Sequence, residues 1–292
     1  MMGLVTSQPT LHSPMTDPAG PSWLEIVNPS HPRGPFRCIV FDFDGTLSLL
    51  RGNWQGLMVP MMVETLRATG TGESAADLTA LVEEFVTRLT GQPTMQQMEA
   101  LASEVAQRGR PRPDPAVYLA RYLDQLLSRT AARIAAVRSC RSKPEEMLIP
   151  GTLPLVEHLL GRGVILVIAS GTDWKHLVSE TAVLELERYF GDRIFGPLDN
   201  DPRFSKEAVL RQLMARYDLR TGEIAAIGDG PAEMLAAKAV GGLALGVASD
   251  EVHQSGRINP LKRDHLLRAG ADLIIPDYRE LPTLLRLLTP DS

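Results

Sequence analysis

From Pro150 onward, short apolar runs alternate with helix-period segments, and this alternation limits the possible folds more than any other feature. A helical pattern over 153–160 is followed by an apolar run of strand length at 164–169. Helical segments continue to about residue 189, with a short strand at 193–195. A helix over 205–217 precedes a strand at 224–227. A helix at 232–240, a strand at 243–247, a helix at 261–269, a strand at 273–275 and a helix at 281–288 complete the series. Strands that alternate with helices predict a parallel sheet covered on both faces, a doubly wound α/β layer.

One further apolar run lies upstream. Residues 37–41 read Arg-Cys-Ile-Val-Phe, and the run ends in two carboxylates one residue apart, Asp42 and Asp44, followed by Gly45 and Thr46. An uninterrupted apolar run reads as a buried parallel strand. Ligands of open parallel sheets bind at the ends of such strands. Two acids held together there are costly unless a cation or a proton neutralises them. A solvated Asp-Gly turn is the plainer reading of these residues, and it leaves the downstream motifs without a purpose.

Residues 48–146 have a different character. Helix-period segments at 59–68, 75–89, 94–108 and 115–137 are separated by Gly and Pro, with no convincing strand among them. In the last segment Val117, Tyr118, Tyr122, Leu126 and Leu127 are expected to form the inward stripe. The expectation is an all-helical cap domain over 48–146, inserted into an α/β core made of 36–47 and 147–292. Periodicity alone fits a functional cap and a plain helical lobe equally. Residues 1–35, rich in Pro, Ser, Thr and Gly, are expected to be a flexible arm, with 23–27 a candidate for docking on the sheet edge.

Composition narrows the function classes. A formal net charge of -5 makes no electrostatic case for nucleic acid or membrane surfaces. The run at 164–169 is far too short to cross a bilayer, and no signal-peptide pattern opens the chain. Two cysteines, Cys38 and Cys140, make no disulfide framework. Cys38 reads as a small core residue, and a reducing cytoplasm fits.

Three more motifs stand at strand or helix ends. After the run at 164–169 come Ser170, Gly171 and Thr172, which suit either an ordinary turn or a set of phosphoryl-oxygen donors. Ser205 is a plausible N-cap, so Lys206 falls in a first helical turn, where the helix dipole disfavours a cation. A surface lysine and a lysine facing an anionic site both satisfy that position. After 224–227 come Gly228, Asp229, Gly230, Pro231, Ala232 and Glu233, with the two acids four residues apart at a strand-to-helix junction. Such oxygen donors suit a hard cation such as Mg²⁺, and equally an acid placed on a helix dipole.

In this order the motifs resemble those of the haloacid dehalogenase (HAD) superfamily. The first is Asp42-Phe43-Asp44-Gly45-Thr46, the second Ser170, the third Lys206, and the fourth runs from Gly228 to Glu233. The resemblance covers the core and implies a Rossmann-like sheet. The helical insert after the first motif is similar to the caps of phosphoglycolate phosphatase-like and β-phosphoglucomutase-like members. It implies that Asp42 is a nucleophile forming an aspartyl-phosphate, and that Asp44 protonates the leaving oxygen and then activates water. Asp42, the backbone carbonyl of Asp44 and Asp229 would hold Mg²⁺, with Glu233 reaching it directly, acting through water, or leaving Asp229 as the main ligand of its motif. Many members carry Asp where this chain has Glu233. Ser170, Gly171 and Lys206 would bind phosphoryl oxygens, Gly45 would permit the turn, and Thr46 would support the site through its hydroxyl or backbone.

Within that superfamily, dehalogenases and phosphonatases lack an acid at the position of Asp44, and P-type ATPases have Thr there. The resemblance therefore implies a Mg²⁺-dependent phosphatase acting on a small phosphorylated metabolite such as a sugar phosphate or phosphoglycolate. A phosphomutase is the alternative on the same core, and a non-catalytic phosphate-binding module the alternative of another class. The chain is expected to act as a monomer or homodimer, with neither nucleic acid nor membrane as partner. Arg51 and Trp54 are placed either to approach the leaving group or to pack the hinge of the cap.

Overall fold

The apolar runs assemble into one seven-stranded sheet in the computed structural model, which describes residues 23–89, 94–198 and 203–289. Residues 1–22 of the expected N-terminal arm lie outside the described residues. The chain opens with β1 (Glu25–Ile26) and β2 (Cys38–Phe41), followed by helices α1 (Gln55–Arg67), α2 (Ala75–Arg88), α3 (Thr94–Gln107) and α4 (Pro115–Arg138). Next come α5 (Thr152–Gly161), β3 (Ile165–Ala169), α6 (Trp174–Val183), α7 (Glu187–Phe190) and β4 (Ile194–Phe195). The remainder is α8 (Lys206–Tyr217), β5 (Ile224–Gly228), α9 (Pro231–Ala239), β6 (Leu243–Val247), α10 (Pro260–Arg268), β7 (Leu273–Ile275) and α11 (Leu281–Leu288).

The strand order is β1-β7-β6-β5-β2-β3-β4, parallel except for β1. Glu25 and Ile26 pair antiparallel with Ile274 and Leu273, so the stretch at 23–27 docks on the edge of the sheet. From the central β2 the chain builds outward to β3 and β4 on one side. It then returns to β5 on the other side of β2 and continues outward to β6 and β7. The loops leaving β2 and β5 therefore diverge and open a crevice at their C-terminal ends, the switch point of a doubly wound sheet.

Strand parity sets what each face buries. Ile39, Phe41, Leu166, Ile168 and Ile227 join one core with α5, α7 and α11. Cys38, Val40, Val167, Ala169 and Ala226 join the other with α8, α9 and α10. Phe41 packs edge-on against Phe190 and Tyr278, with centroids 6.1 and 6.5 Å apart. Asp42 follows in the parity of Cys38 and Val40, toward α8 and α9.

Helices α1 to α4 bury their own cluster, which includes Met58, Met62, Leu66, Val82, Phe85, Met98, Leu101 and Tyr122. The stripe on α4 differs from the sequence expectation. Tyr122 is buried and Tyr118 and Leu126 are half-buried, but Val117 and Leu127 are 63% and 44% exposed. Each lies one residue, about 100° of helix, off the row 118-122-126-130, too far round to face the neighbours. Helix α1 starts earlier than periodicity indicated, because Pro60 falls inside it and masks the start of the pattern.

The two linkers of this helical segment run side by side. Ser48 bridges Leu148, Leu49 N–H donates to Met147 O at 2.8 Å, and Ile149 N–H donates to Leu47 O at 3.0 Å. Arg133 of α4 donates to the carbonyls of Leu49, Leu50 and Gly52, and Arg129 to those of Gly52 and Asn53. These bonds fasten the segment across the C-terminal edge of β2. Among the described residues, no helix is long and apolar enough to cross a membrane.

Candidate active site

Asp42 continues β2, and its N–H donates to Ile227 O of β5 at 2.9 Å, which fixes the first acid beside the second switch-point strand. Beyond it Gly45 turns the chain with φ +71°, a conformation that costs other residues roughly 1–2 kcal/mol. A Cβ at Gly45 would strike the Asp229 carboxylate, coming within 2.8 Å of its Cγ and 3.1 Å of Glu251 Oε1. The missing side chain is what lets the two loops approach. Gly45→Ala is therefore expected to lower kcat/KM by about 10²-fold through displacement of Asp229. It is also expected to lower stability by roughly 1–2 kcal/mol. Steady-state kinetics and thermal melting check both, and wild-type values in each would remove the argument.

Three cations each serve two acids. Lys206 donates to Asp42 Oδ1 at 2.7 Å and also contacts Glu233. Lys262 donates to Asp229 Oδ2 at 2.8 Å, Glu251 Oε1 at 2.6 Å and Ser249 Oγ at 3.1 Å. Arg51 binds Glu180 through two bonds of 2.7 and 3.3 Å and lies 3.9 Å from Asp44. Six carboxylates thus share three cations through direct ion pairs, and although Arg129 and Arg133 act on Glu251 from further away, the acids remain in excess unless some hold protons or a metal.

The electrostatics follow from that excess. Burial pushes the Asp44 carboxyl up to about 7, with Arg51 opposing and Glu180 adding to the rise. Burial likewise raises Glu233 to about 7, with repulsion from Asp42 adding and Lys206 opposing. Asp229 is raised by burial, against the pull of Lys262. Burial works against the charge on Lys206, but the carboxylates of Asp42 and Glu233 outweigh it and hold the ammonium above its ordinary range.

The second acid is aimed. Thr172 Oγ donates to Asp44 Oδ2 at 2.8 Å, while Asp44 Oδ1 is buried without a hydrogen-bond partner. Ser170 is 2% exposed and its Oγ accepts from Thr172 N–H at 3.1 Å, which leaves the hydroxyl proton to be donated elsewhere. Gly171 is exposed, with open space where a Cβ would stand. Thr46 is fully buried, its hydroxyl has no partner, and its carbonyl accepts from Tyr278 Oη at 3.0 Å. Glu233 accepts from Gly230 N–H at 3.2 Å, so both of its oxygens are engaged, one by Lys206 and one by the turn of its own motif.

Asp42, Asp44, Gly45, Asp229 and Glu251 form the floor of a cavity of about 370 Å³, with Arg51 at its side. Trp54, Met58, Gln97, Tyr122 and Leu126 from the helical segment roof it. The structure thus brings Asp42, Asp44, Lys206, Asp229 and Glu233 into one connected cluster.

Sequence reasoning missed Lys262, Glu251 and Glu180, and it named Thr172 as part of a strand-end turn without its bond to Asp44. A signal for Lys262 was present. Asn259 caps α10 and Pro260 is its first residue, so Lys262 stands in a dipole-disfavoured first turn, as Lys206 does in α8. Glu180 carried no such signal, because an acid within an amphipathic helix usually faces water.

A family model described as haloacid dehalogenase-like hydrolase matches residues 36–241. No curated protein matches the chain. The fold is similar to that of a predicted phosphoglycolate phosphatase from Haemophilus somnus 129PT, at 16% identity and TM-score 0.53, covering 86% of this chain and 98% of that one. It is also similar to a conserved haloacid dehalogenase-like protein of unknown function from Agrobacterium tumefaciens C58, at 20% identity and TM-score 0.57, covering 86% and 97%. A HAD family hydrolase from Deinococcus radiodurans R1, with bound phosphate and sodium, matches at 20% identity and TM-score 0.55, covering 88% and 99%. At these identities the likeness to solved structures is one of fold.

Proposed function

This chain belongs to the haloacid dehalogenase-like hydrolase family, and from that membership we propose that it hydrolyses a small phosphomonoester through an aspartyl-phosphate on Asp42. One observation carries the reading. At a single cavity, one carboxylate is anchored by a lysine, and a second is pushed up to about 7 and aimed by a threonine. A carboxylate held by a cation beside an acid raised toward neutrality is what nucleophile and general acid need.

Lys206 engages Asp42 Oδ1, which leaves Oδ2 to attack phosphorus. As the ester P–O bond breaks, the proton on Asp44 passes to the leaving oxygen. Asp44, now a carboxylate, takes a proton from the water that attacks the aspartyl-phosphate. That step frees inorganic phosphate and restores Asp42. Ser170 and Lys206 supply donors to the phosphoryl oxygens, where charge builds during transfer.

The residues present fit a hard divalent cation such as Mg²⁺. The donor set is all oxygen, the acids outnumber the cations paired with them, and the absent Cβ of Gly45 leaves the Asp229 carboxylate open on that side. Asp42, the backbone carbonyl of Asp44 and Asp229 would hold the ion. When bound, it neutralises the acids and the phosphoryl oxygens. Glu233 we assign to Lys206 rather than to the ion, because both of its oxygens are already engaged. The helical segment acts as a cap that closes the cavity against bulk water.

The test is release of inorganic phosphate from an aryl phosphate in the presence of Mg²⁺. Release is expected to stop on chelation and to be poorly supported by Ca²⁺, whose looser coordination spoils the attack geometry. If no phosphorylated compound is turned over, and Asp42→Asn leaves phosphate binding unchanged, the chain is a binding module and the reading fails. Isomerised sugar phosphate with little free phosphate would identify a mutase instead.

A further inference from the structure

Besides the half-buried Thr94 that opens α3, the roof of the cavity holds two buried polar side chains that the reaction scheme leaves unused. Gln97 of α3 is 3% exposed and Tyr122 of α4 is 4% exposed, and both line the cavity. Neither side chain makes a hydrogen bond to any described residue. Neither has a polar atom that is sealed from solvent without a partner, so the amide and the phenol open onto the cavity. Two such groups facing one cavity beside Trp54, Met58 and Leu126 call for a ligand with hydroxyls on one side and an apolar surface on the other. Burial pushes the Tyr122 phenol up to about 12, so it stays neutral and able to donate across the working pH range.

The charge around the cavity is equally selective. Arg51 is the one cation among the described residues lining it, and the segments outside the described residues contain no lysine or arginine. Its guanidinium is held by the buried Glu180 through two bonds and faces Asp44 as well. Arg133 and the terminal nitrogens of Arg129 are directed at the backbone carbonyls of 49–53, while Arg129 Nε is buried without a partner. Lys206 and Lys262 are each shared by two acids. A second anion on the substrate would find no uncommitted cation among the residues lining the cavity and would lie near Asp44 and Glu251.

We propose that the leaving group is a neutral, hydroxyl-bearing moiety read by Gln97 and Tyr122, and that esters carrying a carboxylate or a second phosphate are rejected. The inference rests on the phosphatase reading above and sharpens its substrate class. Gln97 offers one acceptor and two donors and Tyr122 one of each, the complement of vicinal hydroxyls. Glu180 enforces the rejection by keeping Arg51 neutralised.

The test uses the full chain with Mg²⁺ and four kinds of ester: an aryl phosphate, neutral sugar and polyol monophosphates, phosphoglycolate, and a sugar bisphosphate. The best neutral ester is expected to exceed phosphoglycolate and the bisphosphate in kcat/KM by about 10²-fold or more. Gln97→Leu and the milder Tyr122→Phe should each lower kcat/KM for that ester about tenfold more than for the aryl phosphate. Glu180→Gln, which frees the charge of Arg51, should raise the phosphoglycolate-to-sugar ratio about tenfold. Preference for phosphoglycolate or the bisphosphate, with the aryl phosphate also hydrolysed, overturns this inference alone. Equal losses on sugar and aryl esters in both roof variants also overturn it. Failure to hydrolyse any ester removes the phosphatase reading and this inference with it.

Discussion

Asp42→Asn is expected to lower kcat by about 10⁴-fold or more, the order of loss that follows when a covalent enzyme is deprived of its nucleophile. An amide of the same shape keeps an oxygen for Lys206 but has no lone pair basic enough to attack phosphorus. The fold should persist. Asp42 stands in a cluster with more acids than cations, and removing one negative charge relieves repulsion with Glu233 and Asp229. Phosphate release over time measures the first effect, and thermal melting of the metal-free protein the second. An acid-quenched sample of the wild type should show a phosphoryl group on Asp42, and the variant none. Wild-type turnover in Asp42→Asn would mean that another group attacks phosphorus.

The second large effect belongs to Asp44. Asp44→Asn is expected to lower kcat by about 10²- to 10⁴-fold on sugar or polyol phosphates, the usual range for a lost general acid. On an aryl phosphate the loss should be much smaller, because a phenolate leaves without needing the proton. That difference between substrates separates proton donation from simple damage to the site. The pH dependence carries the same signature. Burial raises the folded value of Asp44 from 3.8 to about 7, so the acid form persists up to about neutrality. The wild-type rate on alkyl esters should fall above about pH 7, and Asp44→Asn should lose that limb. An unchanged limb in the variant would assign the titration to another group. Because this folded value lies above the unfolded one, the contribution of Asp44 to stability is full below 3.8 and is lost as pH rises toward about 7. The metal-free protein should accordingly melt at a lower temperature at pH 8 than at pH 5.

Much of the site was legible in the chain because its parts are local. Asp42 and Asp44 follow directly from an apolar run, and Asp229 from another, so strand identification placed them at the switch point without any long-range information. The helical segment was legible as a pattern, but not its inward stripe. Tyr122 was placed correctly, yet Val117 and Leu127 face outward, since a stripe of mixed residues does not define its own centre to better than one position. The partners of the charged groups were not legible at all. Lys262 reaches Asp229 from a helix that begins 31 residues later in the chain, and Arg51 meets Glu180 across 129 residues.

The sequence by itself determined the architecture, the two acids at the end of β2, and the chemistry they suit. Periodicity and strand-end motifs are short-range properties that need no knowledge of packing. Only the tertiary structure decided how those acids are neutralised and which way each faces. It places Lys206 on one oxygen of Asp42, Thr172 on one oxygen of Asp44, and Glu233 on the lysine. It also set Gln97 and Tyr122 over the cavity and closed Arg51 with Glu180. The bonded contacts join α6, α8, α9 and the loop after β3 to the segment that follows β2, and contact free energies of that kind depend on distance and burial, which no residue spacing encodes.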